Sequence, residues 1–337
     1  MSRLSDYDYF LPDELIAQTP LAVRDESRLL VLDRRSGGVR HGAFVDVLEI
    51  LKPGDLLILN DTRVSGVRLF GHRPTGGSVE LLLLEEVAVG RFRAMAKPAK
   101  KLPPGEVISF EDLPSAVVIE DLGDGQKLVE FSDSVGLVEK LDAFGTVPLP
   151  PYIYETLGDR ERYQTVYGAN RGSAAAPTAG LHFTSQILDQ LRSIGVGVEF
   201  VTLHVGIDTF RPVMVDDLRE HKMHGERCSI SPKTADAVSR CGGRIIAVGT
   251  TTVRTLESFA MGRRLVKSGE MSTQIFIQPG FEFQIIDGMF TNFHLPKTTM
   301  LMMISALASR EMVLDAYKSA IQERYRFLSF GDSMLII

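Results

Sequence analysis

Ser173-Ala-Ala-Ala-Pro-Thr-Ala-Gly-Leu-His-Phe-Thr184 is the stretch from which the rest of the chain can be read. Its small residues let backbone approach backbone, Pro177 fixes the chain and Gly180 frees it. Thr184 stands where an N-cap belongs, because Ile187, Leu188 and Leu191 follow at helical spacing. His182 is therefore expected in a turn feeding a helix N-terminus, where free N–H groups and the positive dipole end favour anionic groups. Everything after Thr184 alternates. Helix 185–193, strand 197–203, helix 232–241, strand 244–248 and helix 252–260 come first. Strand 284–287, helices 298–308 and 311–325 and a closing strand at 334–337 complete the series. Such alternation predicts an α/β domain with a mixed or largely parallel sheet flanked by helices.

Upstream, the same domain begins with a short helix at Pro12–Ala17, a strand at 28–33 and helical spacing over 43–51. Leu56-Leu57-Ile58-Leu59 is a continuous apolar run of the kind buried on both faces. It ends in Asn60-Asp61-Thr62-Arg63, a polar cluster where open α/β sheets place ligands. From Val64 to Tyr152 the texture changes. Strand-like runs at 67–70, 78–84, 91–96, 106–110, 115–120 and 127–131 are each bounded by Gly, Pro or Asp. This spacing predicts a small inserted antiparallel β-barrel. The expected organisation is an α/β catalytic domain of residues 1–63 and 153–337 with a barrel domain of residues 64–152.

Hydrophobic content of 44% with 24% charged residues is that of a chain able to bury a real core. No apolar run reaches membrane-span length and the N-terminus lacks a signal-like stretch, so a cytoplasmic protein with no membrane partner is expected. Two cysteines, Cys228 and Cys241, fit a reducing compartment. The net charge of −6 means that a polyanion can bind only at local basic clusters. Two clusters stand out: Arg91, Arg93, Lys97, Lys100 and Lys101, and then Arg160, Arg162 and Arg171.

Three further strands run into polar, glycine-marked turns: His204 to Pro212, Gly249 to Thr255, and Gly288 to Thr299. Together with 173–184 they gather histidines, cations and threonine hydroxyls at one sheet edge, which reads as a shared ligand site. The 249–255 turn follows a strand and precedes a helix but lacks the Gly-Lys-Ser/Thr ending of a phosphate loop, and no Gly-x-Gly-x-x-Gly occurs. His221, His224, Cys228 and Cys241 have a spacing reminiscent of zinc ligands. The first three sit amid Lys222, Glu226 and Arg227, and Cys241 ends a helix, so no metal is expected.

At this point long motifs accumulate. Asn60-Asp-Thr-Arg-Val, Ala175-Ala-Pro-Thr-Ala-Gly-Leu-His-Phe-Thr, Leu203-His-Val-Gly and Thr209-Phe-Arg-Pro-Val are four of them. His221-Lys-Met-His, Val248-Gly-Thr-Thr-Thr-Val-Arg-Thr-Leu-Glu, Thr291-Asn-Phe-His-Leu-Pro-Lys and the closing Tyr325-Arg-Phe-Leu-Ser-Phe-Gly-Asp-Ser-Met-Leu-Ile are four more. Together they resemble the S-adenosylmethionine:tRNA ribosyltransferase-isomerases of queuosine biosynthesis, from Asp6-Tyr to the C-terminus. One departure is Asp208, where the family usually has glycine. Residues 64–152 match weakly.

The resemblance implies transfer and isomerisation of the ribosyl unit of S-adenosylmethionine onto 7-aminomethyl-7-deazaguanine in the anticodon of tRNA. Epoxyqueuosine would form, with release of adenine and methionine. S-adenosylmethionine would be a co-substrate and no prosthetic group would be needed. It also implies an α/β domain carrying an inserted barrel. Set against that chemistry, His182, His204 and His294 are the candidate acid–base groups, one to form an ylide beside the sulfonium and another to protonate departing adenine. Candidates for substrate binding are Asn60, Asp61, Arg63, Pro177, Thr178, Thr209, Arg211, Thr250, Thr251, Arg254, Asn292 and Lys297. Arg254 and the N–H groups of 250–252 suit the methionine carboxylate. Arg63, Arg211 and Lys297 suit either that carboxylate or tRNA phosphate. An RNA methyltransferase and a non-catalytic RNA binder are the competing classes; free adenine, S-adenosylhomocysteine or neither product would tell the three apart.

Overall fold

Leu56–Asn60, five consecutive buried residues, is a central strand of a nine-stranded sheet. Its neighbours are Gly197–Leu203 on one side and Ile245–Val248 on the other, and beyond the latter lies Gly288–Asn292. These four strands run parallel. Past Gly288–Asn292 the sheet continues antiparallel with Ser333–Ile336, parallel with Arg28–Leu32 and antiparallel with Val39–Ala43. Past Gly197–Leu203 it continues antiparallel with Glu226–Ile230 and Gly269–Thr273. The sheet is therefore mixed, its parallel centre flanked by antiparallel additions. The computed structural model describes residues 3–206, 213, 215–221 and 223–337.

The elements follow from their local sequences. Thr184 accepts from the N–H of Ile187 and caps the helix Ser185–Ser193, whose Ile187, Leu188 and Leu191 are buried. Ser231 caps Pro232–Arg240 with proline in the first turn, and Thr298 and Ser309 cap Thr299–Leu307 and Arg310–Gln322. Phe44, Phe183 and Phe290 meet edge-on or tilted, with centroids 4.9 to 5.9 Å apart, inside a core that also takes Leu57, Leu59 and Leu191. Each fully buried leucine or phenylalanine here stabilises the fold by roughly 1.5–3 kcal/mol.

The structure departs from the sequence reading at three places. The strand expected at 284–287 is not one. The N–H groups of Gln284, Ile285 and Ile286 all donate to the Glu257 carboxylate, so the backbone turns there and the strand begins at Gly288. Glu226–Ile230 was hidden by its charged residues, because its buried positions are Glu226, Cys228 and Ile230, an alternation broken by one buried carboxylate. The helix expected at Pro12–Ala17 is a single 3-10 turn, Asp13–Leu15. No helix among the described residues is long and apolar enough to cross a membrane.

These elements belong to one compact unit, Met1–Thr62 with Pro150–Asn170 and Ala176–Ile337. The second unit comprises Arg63–Leu149 and Arg171–Ala175. It holds a six-stranded antiparallel sheet in the order Val67–His72, Ser78–Ala88, Arg91–Lys97, Gln126–Phe131, Ala116–Gly123 and Val107–Ile108. His72 and Ser109 exchange backbone hydrogen bonds of 2.9 Å, which brings the first and last strands together and nearly closes the barrel. Leu81, Ala94, Leu102, Ile108 and Val129 fill its interior.

Candidate active site

Because the four central strands are parallel, their carboxyl ends share one edge of the sheet, the place where open α/β sheets bind ligands. Strand register sets the order of side chains along it. Glu226 opens its strand beside His204, followed by Asn60 and Asp61, then Gly249 to Thr251, then Asn292. Ser333 pairs with Asn292 and Leu29 with Ser333, so Asp332 and Ser27 continue the row.

Asn60 is fully buried and its amide is fully engaged. Its nitrogen donates to the Leu203 carbonyl at 3.0 Å and to the Thr251 hydroxyl at 3.1 Å; its oxygen accepts from the N–H groups of Leu203 and Thr62. It clips three loops together and has no hydrogen-bonding capacity left for a substrate. Asp61 accepts a 2.7 Å bond from Thr202. The Thr62 hydroxyl lies 2.8 Å from Nδ1 of His204.

At the next strand end, Gly249 adopts a φ of +86°, which a residue with a side chain would resist, and starts the helix Thr250–Ser258 without a side-chain cap. The first N–H groups of that helix face the strand ends. Arg254, one turn further along, is buried, and its Nη1 bonds the Glu226 carboxylate, itself buried. The second Glu226 oxygen accepts from the N–H of Gly206 at 2.9 Å. Nε and Nη2 of Arg254 are buried with no partner among the described residues. Unpaired buried donors of a cation are costly, and an anion placed here would satisfy them.

His182 sits where its sequence context placed it, beside the 3-10 turn Thr178–Gly180, which packs on the Gly288–Asn292 strand. Gly180 is required there, because a Cβ would fall 1.9 Å from the Tyr167 hydroxyl. Both His182 ring nitrogens are engaged: Nδ1 with Ser27 at 2.8 Å and Nε2 with the Asn292 amide nitrogen at 3.4 Å. Asn292 in turn accepts from Thr178 at 2.9 Å, so hydroxyl, amide, imidazole and hydroxyl form one chain. Burial, with the charges of Arg24 and Arg326 adding to it, pushes the His182 imidazolium down to about 3.

His294 lies two residues beyond the same strand, its N–H bonded to the Tyr317 hydroxyl and its carbonyl accepting from Tyr9. Burial pushes it down to about 4. Its Nε2 is 2.7 Å from the Thr291 hydroxyl, which is also 3.2 Å from the Asn292 carbonyl. Every donor is satisfied only if Nε2–H donates to Thr291 and Thr291 donates to that carbonyl. This tautomer leaves the Nδ1 lone pair available.

Not every candidate joins the row. Lys297 has a φ of +59° and pairs its ammonium with Asp8 at 2.7 Å. Arg63 belongs to the barrel unit. Thr209, Arg211 and the departing residue Asp208 lie outside the described residues. Of the zinc-like residues, Cys228 points to the Met271 carbonyl and Cys241 to those of Gly54 and Gly243; no metal-binding cluster occurs among the described residues. Sequence reasoning missed Glu226 and Ser27, and gave Thr62 a place in the Asn60–Arg63 cluster but no role of its own. Ser27 immediately precedes a buried strand, a position that could have marked it.

The two buried imidazoles carry a prediction for acid stability. Each titrates lower in the folded chain than at the ordinary 6.5, so between those values the unfolded chain binds more protons. Stability is therefore complete above about pH 6.5 and falls as pH drops toward 4, by a few kcal/mol in order of magnitude. Chemical denaturation from pH 7 to pH 4.5 should show this loss, and His182→Gln should flatten it. An unchanged profile in that variant would remove His182 from the account.

The comparisons with known proteins agree with this architecture. Residues 4–336 match the family described as "Queuosine biosynthesis protein". An S-adenosylmethionine:tRNA ribosyltransferase-isomerase of Symbiobacterium thermophilum is 51% identical over 340 residues, covering 99% of this chain and 100% of that protein. A crystal structure of the S-adenosylmethionine tRNA ribosyltransferase of Thermotoga maritima is 36% identical and superposes with a TM-score of 0.57, over 98% of this chain and 100% of that one. With the fold, the edge residues and these full-length matches in agreement, the chain belongs to the queuosine biosynthesis protein family, as a transferase of the S-adenosylmethionine:tRNA ribosyltransferase-isomerase type.

Proposed function

We propose that this chain transfers the ribosyl unit of S-adenosylmethionine to the aminomethyl group of 7-aminomethyl-7-deazaguanine in tRNA. The pentose is isomerised to the epoxycyclopentanediol of epoxyqueuosine, and adenine and methionine leave. The observation that carries this reading is Arg254, with two buried guanidinium nitrogens that have no partner among the described residues, beside an uncapped helix start. That pair suits the methionine carboxylate and orients the sulfonium along the sheet edge.

The sulfonium acidifies the C5′ hydrogens, and a neutral imidazole with an available lone pair removes one of them. His294 meets that description at Nδ1. His182, held at both nitrogens, orients Asn292 and Thr178 beside the reacting sugar. His204 and its Thr62 partner supply a proton for departing adenine. The test is product analysis on tRNA bearing the deazaguanine precursor. Stoichiometric free adenine supports the reading, whereas S-adenosylhomocysteine would make the chain a methyltransferase.

The tRNA needs a basic surface. On the barrel unit, Arg91 is paired with Glu130 and Arg93 with Glu85, so these two contribute little net charge. Lys97, Lys100 and Lys101 are exposed and have no carboxylate partner among the described residues. Charge reversal at all three should weaken tRNA binding and flatten its salt dependence, by about 0.7–0.9 in log–log slope for each phosphate no longer neutralised. S-adenosylmethionine affinity should stay constant. Wild-type affinity and slope in the triple variant would place tRNA elsewhere.

A further inference from the structure

Beside His182 lies a small open pocket lined by Pro20, Leu21, Arg24, Arg162, Ser329 and Gly331. Its charge is unusual. Arg24 donates to the carbonyls of Leu181 and Glu161, and Arg162 to those of Leu21 and Ala22. A third guanidinium, Arg326, donates to the Thr19 carbonyl and acts electrostatically on His182. Among the described residues no carboxylate comes within ion-pair distance of any of the three; Asp159 and Glu161 act on Arg24, and Asp332 on Arg326, only at longer range. Nε of Arg162 and Nη1 of Arg326 are buried with no partner among the described residues. Arg24 and Arg162, two lining cations held by neutral carbonyls and with a donor left over on Arg162, suit an anion, and Arg326 adds positive charge nearby.

The neighbouring segment indicates which anion. Gln18, two residues before Pro20, donates to the Tyr152 carbonyl at 2.9 Å and accepts from the Tyr154 N–H at 2.8 Å. It thereby fixes the backbone that presents the Tyr154 ring, 84% exposed. Tyr152, two residues before it, bonds the lining residue Ser329 at 2.7 Å, which ties this segment to the recess. An exposed aromatic ring near a guanidinium-lined recess is the pairing that receives a nucleotide, the base stacking and the phosphate entering the recess.

From this arrangement we infer that the Arg24/Arg162 recess seats a backbone phosphate of the RNA substrate, with a flanking base on Tyr154. The inference rests on the reading that tRNA is the acceptor and names the protein groups that hold it. It is separate from the carboxylate site at Arg254. A phosphate here holds the strand next to His182 without entering the reaction.

The experiment measures binding of precursor-bearing tRNA to the full chain at several salt concentrations, for wild type, Arg24→Gln and Tyr154→Ala. Arg24→Gln should bind about tenfold more weakly, with a log–log salt slope lower by about 1. Tyr154→Ala should also bind about tenfold more weakly but with the slope unchanged, because stacking releases no counterions. Inorganic phosphate should compete with tRNA in wild type more strongly than chloride of equal ionic strength, and should lose that advantage in Arg24→Gln. S-adenosylmethionine affinity should be the same in all three. Wild-type tRNA affinity and slope in both variants would overturn the assignment, as would an equal loss of S-adenosylmethionine affinity, which would make the recess part of that ligand's site. Because Tyr154→Ala removes only an exposed ring, it keeps the test open if Arg24→Gln folds poorly. Adenine release is scored separately in wild type: its absence alongside intact tRNA binding would remove the proposed reaction and leave the phosphate recess standing.

Discussion

In Arg254→Met, S-adenosylmethionine affinity is expected to fall about a hundredfold or more, since two charge-assisted hydrogen bonds of about 1.5–3 kcal/mol each are removed. The same variant should be less stable by about 3–5 kcal/mol, because Glu226 is left buried without its cation. The two effects have different origins and can be separated. Arg254→Met combined with Glu226→Gln removes the uncompensated charge and should recover most of the stability. Calorimetric binding should show that affinity does not return with it. If the double variant bound S-adenosylmethionine as wild type does, the guanidinium would be a structural partner of Glu226 and the carboxylate would bind elsewhere. The coupling between the two residues is itself a measurement, as they are hydrogen-bonded directly to one another.

His294→Gln should lower the single-turnover rate of adenine release about a hundredfold or more, the usual contribution of a positioned base. Its affinity for tRNA should change little, since the side chain is buried and uncharged. Glutamine retains a donor for Thr291, which isolates loss of the Nδ1 lone pair from loss of packing. His182→Gln is expected to cost less, because in the proposed reaction that ring positions Asn292 and Thr178 and moves no proton. Near-normal single-turnover rates in His294→Gln, with a large loss in His182→Gln, would reverse the two roles.

Much of this arrangement is already legible in residue order. The continuous apolar run of Leu56–Leu59, the capping threonine at 184 and the glycine at 249 each act through local physics that no distant segment overrides. They determine a parallel centre, helices on its faces and polar turns at one end of the strands. Hydrophobic alternation between Gly and Pro breaks likewise determines the barrel strands, because a strand with one buried face records that face in its own sequence. The histidines were visible for similar reasons: His204 and His294 follow strands whose ends are marked, and His182 precedes a capped helix.

What the residues could not reveal by themselves is which groups pair. Glu226 lies 28 positions from Arg254 and Ser27 lies 155 from His182; the first pair meets only because the helix Thr250–Ser258 packs on the Glu226–Ile230 strand, the second only because the turn of His182 reaches the start of the Arg28–Leu32 strand. Asn60 has the composition of a ligand-binding residue, yet its four hydrogen bonds all go to the protein once Leu203 and Thr251 arrive beside it. The Glu257 carboxylate draws three N–H groups away from a segment that alternation alone assigns to a strand. Arg162 reads as part of a solvated basic cluster, whereas its guanidinium folds back on Leu21 and Ala22 beside His182. Local sequence determines backbone preference and burial, which act over a few residues. The charge state, satisfaction and partner of a buried polar group depend on how distant segments meet, and only the tertiary structure decides those.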